Sequence, residues 1–241
     1  MSELLAETCA WSSVSLTLRI MGWSVLLQLA IGLPLAWLLA RRVFPGKALL
    51  DALVTMPLVF PPIVIGYGLL LLLSREGWMF AWLPVDWRPH WIFSETGLVI
   101  AAVVAGLPLM VKPSQAAITE VDDAVREVAS VLGARPWQVF LRIDLPLAKL
   151  GILTGLVLST GRAMGEVGIS LMLGGNISGR TETLSLAVYN HVLGSETDCA
   201  NALSLVLAGI AALVLFLFRR VERKHPAIPA LNKSRTDDRS R

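Results

Sequence analysis

Two opposite charges, Arg162 and Glu166, stand four residues apart near the centre of the apolar stretch 150–173. A charge at the middle of a membrane costs about 3 kcal/mol or more, so it needs a partner or a water-lined cavity. At this spacing the two side chains can pair on one helical face. The guanidinium could instead offer its fork of donors to an oxyanion along a pathway. The sequence leaves both roles open: part of a pathway or gate, or a self-neutralised pair that locks the segment in place.

The composition indicates the elements that must position this pair. The chain has 241 residues, of which 55% are hydrophobic and only 16% charged, with a mean hydropathy of +0.66. These values exclude a soluble globular domain, and no basic helix with interleaved aromatic residues suggests nucleic-acid binding. A helix of about 20 residues crosses a bilayer. We therefore predict an all-α integral membrane protein with a transmembrane domain over residues 1–224 and a disordered tail over 225–241. The five predicted spans are approximately residues 13–40, 48–73, 93–112, 150–173 and 200–218.

The second predicted span contains an unusual number of helix breakers. Pro57, Pro61 and Pro62 fall in its middle, followed by Gly66 and Gly68. Freed backbone groups are tolerated at membrane depth only where protein or a water-filled cavity receives them. The span either lines a transport pathway or is simply a kinked helix.

Orientation follows from the distribution of Lys and Arg. Five spans place residues 41–47, 112–149 and 219–241 on one side, and these segments hold most of the basic residues. The other side has only Arg75, Arg88 and Arg180. The positive-inside rule therefore predicts a cytoplasmic carboxyl terminus and an external amino terminus. Asp51 is expected to pair with the basic turn before it, and a disulfide between Cys9 and Cys199, both near the outer face, is conceivable.

The loop 113–149 is amphipathic. Apolar residues of the segment 121–132 recur at helical spacing, Gly133 ends that helix, and Pro136 suits the first turn of the next. A short helix, a glycine corner and a second short helix between two spans would form a docking element. The alternative is an amphipathic helix that lies on the membrane surface.

The sequence of this loop also resembles a motif of a known protein family. Glu127-Val128-Ala129, then Gly133, Ile143 and Leu145-Pro146 are similar in type and spacing to the EAA loop of ABC importer permeases, with only Val128 departing from the usual Ala. In that family the loop forms the coupling helix, which seats in a groove on a cytoplasmic ATPase. The resemblance implies that these residues couple the chain to the ATPase.

Further segments resemble the molybdate/tungstate permeases of the sulfate-molybdate branch, namely 44–53, 56–71 and 161–177. The resemblance implies a type I ABC importer permease fold in the bacterial inner membrane. It also implies three partners: a second copy of the chain, an ATPase dimer, and a periplasmic or lipid-anchored molybdate-binding protein. ATP and Mg²⁺ would bind to the ATPase, with no cofactor or metal in this chain. The candidate pathway or gate residues are Arg162, Glu166, Pro57, Pro61, Pro62 and Asn176.

The sequence carries no nucleotide-binding loop of its own. Gly46-Lys47 is followed by Ala48, so the pattern GxxxxGK[ST] is absent and the chain is not expected to be an enzyme. The alternatives within the branch are a sulfate/thiosulfate or a tungstate permease; from other classes they are a passive channel or an intramembrane enzyme. The loop 174–198 is external and is either a seat for the binding protein or a plain connection.

Overall fold

A computed structural model describes residues 11–223, which form helices joined by turns, without strands. The predicted tail and Cys9 lie outside the described residues. The helices in chain order are α1 (Trp11–Leu27), α2 (Leu33–Arg41), α3 (Lys47–Val59), α4 (Pro62–Leu73), α5 (Glu95–Thr119), α6 (Asp123–Val131), α7 (Pro136–Val139), α8 (Leu145–Leu147), α9 (Lys149–Met164), α10 (Gly168–Gly174), α11 (Leu184–Leu193) and α12 (Thr197–Arg223).

The first predicted span is one long helix with a π-helical turn in its middle. The turn Gln28–Gly32 joins α1 to α2, so that Ser12–Arg41 runs on for 30 residues. Gln28 is fully buried, and its amide donates to the Ala102 carbonyl oxygen on α5 at 3.3 Å. A Cβ at Gly106 would overlap this amide, so a side chain there would displace Gln28. The π-helical turn therefore places the polar side chain of Gln28 between two spans.

The second predicted span is not one helix. It divides into α3 and α4, which are 13 and 12 residues long and separated at Phe60 and Pro61. At 1.5 Å per residue each helix is about 20 Å long, shorter than the hydrocarbon core. Proline lacks the N–H that a continuing helix needs, and Pro62 occupies the first turn of α4, where that group is not required. A membrane crossing by residues 48–73 stays a prediction.

Helix α5 is the centre of the bundle. It packs against α1, α2, α9 and α10, and twelve of its residues are buried. It extends from Glu95 to Thr119 and is thus longer than the predicted span 93–112. Residues 113–119 consequently belong to this helix and not to the coupling loop, because their apolar residues continue into the core, where Ile118 is fully buried.

The last two predicted spans differ in shape. Residues 150–173 form α9 and α10, which are bent by 61° across a short break, whereas Thr197–Arg220 is a single apolar helix. Within the described range three helices are long and apolar enough to cross a membrane, and a fourth crossing results if α9 and α10 are counted together.

Candidate functional site

Helix α6 is capped at both ends, and the glycine at its carboxyl end is the one that the sequence predicts. At its start the Asp122 carboxylate accepts a hydrogen bond from the Ala124 N–H at 2.9 Å. At its end Gly133 adopts φ +83°, and the Ala134 and Gly133 N–H groups donate to the Ala129 and Ser130 carbonyl oxygens, both at 3.0 Å. This pair of hydrogen bonds is a Schellman motif, which requires the left-handed conformation that glycine adopts without strain. Gly133 therefore sets the corner between α6 and α7.

The predicted apolar face of α6 is present, but it is exposed. None of the residues of α6 is buried, and Glu127 is exposed while Ala129 is only partly covered. The apolar side chains that remain open to solvent at the helix and its corner are Val125, Val128, Val131 and Leu132, the last two with exposed fractions of 87% and 82%. A contiguous apolar surface of this kind is typical of a site that another molecule covers.

The second half of the motif faces inward. Ile143 and Leu145 pack against the core cluster that includes Met110, Val111 and Ile118. Pro146, in contrast, is exposed in the first turn of α8. The motif residues thus divide into an outward-facing knob around Glu127, Val128 and Gly133 and an inward-facing anchor.

A charged cluster, which the sequence does not predict, joins this region to the bundle. Asp144 is fully buried between Ile143 and Leu145, and its carboxylate accepts a hydrogen bond from the Trp37 indole at 3.2 Å. Arg126 of α6 lies 3.1 Å from the same carboxylate, and Arg41 lies 3.8 Å from it. Both guanidinium groups also contact Asp123, at 3.2 Å and 2.9 Å. The one available signal was an acidic residue between two apolar motif positions.

Arg41 is held by backbone groups as well. Its guanidinium donates to the Val121 carbonyl oxygen at 2.9 Å and to the Ile118 carbonyl oxygen, at the end of α5. The side chain is only 8% exposed. Arg41, which the sequence placed only in a basic turn, therefore caps α5 and ties α2 to the segment that leads into α6.

Arg162 and Glu166 form the predicted ion pair, but not on one continuous helix. Helix α9 ends at Met164, so Glu166 lies in the break before α10. Its carboxylate is buried and also accepts a hydrogen bond from the Ile169 N–H at 2.7 Å, in the first turn of α10. Glu166 consequently closes the bend in two ways, by pairing back to α9 and by capping the next helix.

The two helix breaks lie against each other. An added Cβ at Gly168 would come within 2.9 Å of Pro62 and 3.1 Å of the Ile63 nitrogen, so α10 meets the start of α4 at a glycine. Gly66 makes a similarly close approach to Ile169 and Met172. Small residues permit this approach of backbones in membrane bundles. The structure thereby brings Pro61 and Pro62 close to the break that holds Glu166.

The other candidate pathway residues lie elsewhere. Pro57 is inside α3, within its last turn. Asn176 follows α10 with φ +52°, and its amide donates to the Asn190 side-chain oxygen at 2.7 Å. Asn190 in turn donates to Glu182 at 2.6 Å, so Asn176 belongs to a polar network of the loop that leads to α11.

One expectation about a single residue is wrong. Asp51 pairs with Lys112 on α5, at 2.6 Å, and not with the basic turn. The reason is that its side chain lies one turn into α3 and faces α5. His191 lies on α11, with its Nδ1 2.7 Å from the Glu196 carboxylate.

Within the predicted external loop 174–198, residues Leu184–Leu193 form helix α11. Leu184, Leu186 and Ala187 are fully buried, and part of this helix packs against Val14 and Leu203. On the same side of the bundle as the start of α5, the indole rings of Trp78, Trp82 and Trp87 are 88%, 80% and 77% exposed, as side chains at a membrane interface would be.

Apolar helices long enough to span a membrane, two helix breaks that lie against each other and an exposed capped helix are features of a multi-pass membrane protein. Residues 32–224 match the family described as binding-protein-dependent transport system inner membrane component, and the chain belongs to this family. It is therefore a multi-pass inner membrane protein with a transport role.

Individual relatives are also permease proteins of transport systems. The molybdenum transport system permease protein ModB of Escherichia coli (strain K12) is 38% identical over 89% of this chain and 95% of that protein. The sulfate transport system permease protein CysW of Synechocystis is 35% identical over 88% of this chain and 77% of that protein. Among solved structures, a bacterial alginate ABC transporter in complex with its alginate-bound periplasmic protein has a chain with a TM-score of 0.73, at 22% identity over 88% of this chain and 78% of that one.

Proposed function

We propose that this chain is the membrane-spanning subunit of an ATP-driven importer of molybdate. The observation that carries the proposal is the knob at α6, whose exposed apolar face has no partner within the described part of the chain. A cytoplasmic ATPase of the ABC type would cover it, and the motif residues Glu127, Val128, Ala129 and Gly133 would form the contact. Ile143 and Leu145 would anchor the contact to the bundle, and the exposed Pro146 stays a candidate coupling residue.

The driving force in this proposal comes from outside the chain. Two copies of the chain would each carry one knob, and an ATPase dimer that closes on ATP would draw the two knobs together. Rigid-body motion of the attached helices would then turn the pathway from inward-facing to outward-facing. A periplasmic or lipid-anchored binding protein would deliver the anion to the face that carries α11. In this arrangement the amino terminus lies outside and the carboxyl terminus in the cytoplasm.

For Arg162 and Glu166 we propose a role in holding the bend between α9 and α10. Both carboxylate oxygens of Glu166 are engaged, one by Arg162 and one by the Ile169 N–H, which favours a fixed structural element over a free anion ligand. Because α10 packs against α4 at the second break, the pair would set the spacing of two pathway segments. Pro57, Pro61, Pro62 and Asn176 stay candidates for the pathway.

Sulfate is the second candidate substrate. It is supported by the similarity to the Synechocystis sulfate permease, at 35% identity against 38% for the Escherichia coli molybdenum permease. Proteoliposomes that contain the complete transporter would discriminate between the two: we expect ATP-dependent uptake of molybdate that excess sulfate does not suppress. Uptake without ATP would indicate a channel and contradict the proposal.

The docking role is tested at Gly133. Gly133→Asp places a charged side chain at the exposed corner and in a left-handed conformation, so we expect loss of ATPase co-purification and of transport from a protein that still inserts. Gly46→Asp is the matched control. Gly46 also has a positive φ, of +91°, and open space around its Cβ, but it lies before α3. Normal ATPase association of the Gly133 variant would rule out docking at this corner.

A further inference from the structure

The coupling helix α6 is attached to the bundle in an unusual way. Apolar packing normally holds a helix in place, yet α6 buries none of its residues. Val121, just before it, is 7% exposed and fixes where the helix starts, but not how the helix is rotated about its axis. The contacts that do restrict its rotation come from two of its polar side chains, Asp123 and Arg126.

These contacts converge on one buried carboxylate, that of Asp144. Arg126 reaches it from α6 at 3.1 Å, and Trp37 and Arg41 reach it from α2 at 3.2 Å and 3.8 Å. Asp144 itself belongs to the π-helical turn Phe140–Asp144, a few residues before α9 begins. Three elements therefore meet at a single side chain: the coupling helix, the end of the first span and the approach to the bent span.

Two guanidinium groups face two carboxylates, so the cluster is balanced in charge. Its inner part is shielded from water: Asp144 has no exposed surface and Arg41 has 8%, whereas Arg126 is 22% and Asp123 is 74% exposed. Withdrawing Arg126 would leave the buried Asp144 carboxylate with only the more distant Arg41 as a cation, which is unfavourable. The hydrogen bonds of the cluster, from Arg41 and Arg126 to Asp123 and from the Trp37 indole to Asp144, are directional, whereas apolar contacts are not. A displacement of α6 is thus more easily transmitted through the cluster than absorbed by it.

Aromatic contacts stiffen the same junction. The Trp37 ring packs edge-on against Phe140 with 5.7 Å between centroids, and the Arg42 guanidinium lies over the Trp37 ring at 5.5 Å. Trp37 and Phe140 belong to the two elements that Asp144 already joins. Rings and charges together leave little freedom between α2 and the π-helical turn.

We infer that Asp144, Arg126 and Arg41 form the joint that transmits movement of the coupling helix to the first and the bent span. They are positioning residues, distinct from the outward-facing surface that the ATPase would touch. The inference rests on the proposed function, in which the ATPase docks at α6. In this inference the cluster determines the efficiency of coupling, which is the amount of anion moved per ATP hydrolysed.

The test compares Arg126→Gln, Asp144→Asn and the double variant in proteoliposomes that contain the permease, its ATPase and its binding protein. Molybdate uptake and ATP hydrolysis are measured in the same sample. We expect each single variant to co-purify with the ATPase and to hydrolyse ATP, while molybdate moved per ATP falls at least about fivefold, the lower end of typical coupling between sites. The double variant should be no worse than either single, because all three break the same contact.

Arg142→Gln is the matched control. Arg142 lies in the same π-helical turn as Asp144 and is exposed, so its loss changes the charge by the same amount without touching the cluster. We expect an unchanged ratio of uptake to hydrolysis. If Asp144→Asn fails to fold because its site is buried, the Arg126 variant still decides the matter, since Arg126 is 22% exposed.

Two results would overturn the inference. A wild-type ratio in Arg126→Gln would mean that movement does not pass through the cluster. Loss of ATPase association in the same variant would mean that the cluster shapes the docking surface instead of transmitting motion. If the unmodified chain itself does not bind the ATPase, the proposed function fails, and that failure is visible before any variant is made.

Discussion

The ion pair at the bend offers the sharpest test of the structure, because its two members are buried to very different extents. The Glu166 side chain is 1% exposed and that of Arg162 is 29% exposed. Arg162→Met leaves a carboxylate without its cation in a buried place, which costs about 4 kcal/mol. Glu166→Gln leaves a guanidinium that reaches water and keeps an acceptor for the Ile169 N–H, so the cost is about 2 kcal/mol, the scale of one hydrogen bond to a charged group.

The double variant distinguishes a coupled pair from two independent residues. With both charges gone, no unpaired group remains, and we expect a cost of about 2 kcal/mol, well below the sum of the two single costs. For a protein of this size about 1 kcal/mol corresponds to a shift of about 3 °C in Tm. The expected decreases in Tm are therefore about 12 °C for Arg162→Met and about 6 °C for both Glu166→Gln and the double variant.

The assay is thermal unfolding of the detergent-solubilised protein. Samples are heated to a series of temperatures, and size-exclusion chromatography then measures the folded fraction that remains. Arg180→Met is the control, since Arg180 is exposed in the loop beyond α10, and a substitution of this kind changes stability by less than about 0.5 kcal/mol. Equal losses in the two single variants, or a double variant as poor as their sum, would refute the reasoning from burial. Such a result would favour a pathway role for a free Arg162.

Two further predictions follow from packing and from topology. Gly106→Ala should lower Tm by about 6 °C, from about 2 kcal/mol of overpacking, because the added Cβ would also meet the Ser159 carbonyl oxygen at 2.8 Å. Gly209→Ala is the control and should leave Tm unchanged, since there is open space around Gly209. Equal Tm values in the two variants would contradict the close approach at Gly106. Val131→Cys should react with a membrane-impermeant maleimide only in inverted vesicles, whereas Trp82→Cys should react only in intact cells. Labelling is measured relative to the unsubstituted chain, and labelling of both variants from one side would contradict the proposed orientation.

Much of the architecture was predictable because it depends on local properties of the chain. Hydropathy located the long helices, and Pro61 and Pro62 marked a break, since proline lacks an N–H wherever it occurs. The corner at Gly133 was equally local, because a left-handed residue at a helix end favours glycine in any context. The spacing of Arg162 and Glu166 allowed their pairing, but it left a pathway role open and placed both residues on one helical face, whereas the helix ends at Met164.

Contacts between distant segments were not predictable in this way. Asp51 has several cations within reach in sequence, and only the packing of α3 on α5 selects Lys112, 61 residues away. The bend at Glu166 could not be predicted for a similar reason. Residues 150–173 are mostly apolar and contain no proline, and the break becomes stable only when Glu166 caps α10 and Gly168 meets Pro62. Both outcomes depend on neighbours that local spacing does not identify.

The sequence by itself determined that the chain is apolar and helical and that it carries an amphipathic helix ending at Gly133, since hydropathy, periodicity and helix-ending glycines are properties of short segments. The tertiary structure alone decided that this helix is held by Asp144, Arg126 and Arg41. A buried carboxylate is stable only where cations from other elements reach it, and the distance between Arg41 and Asp144 is set by the fold and not by the 103 residues of chain that separate them.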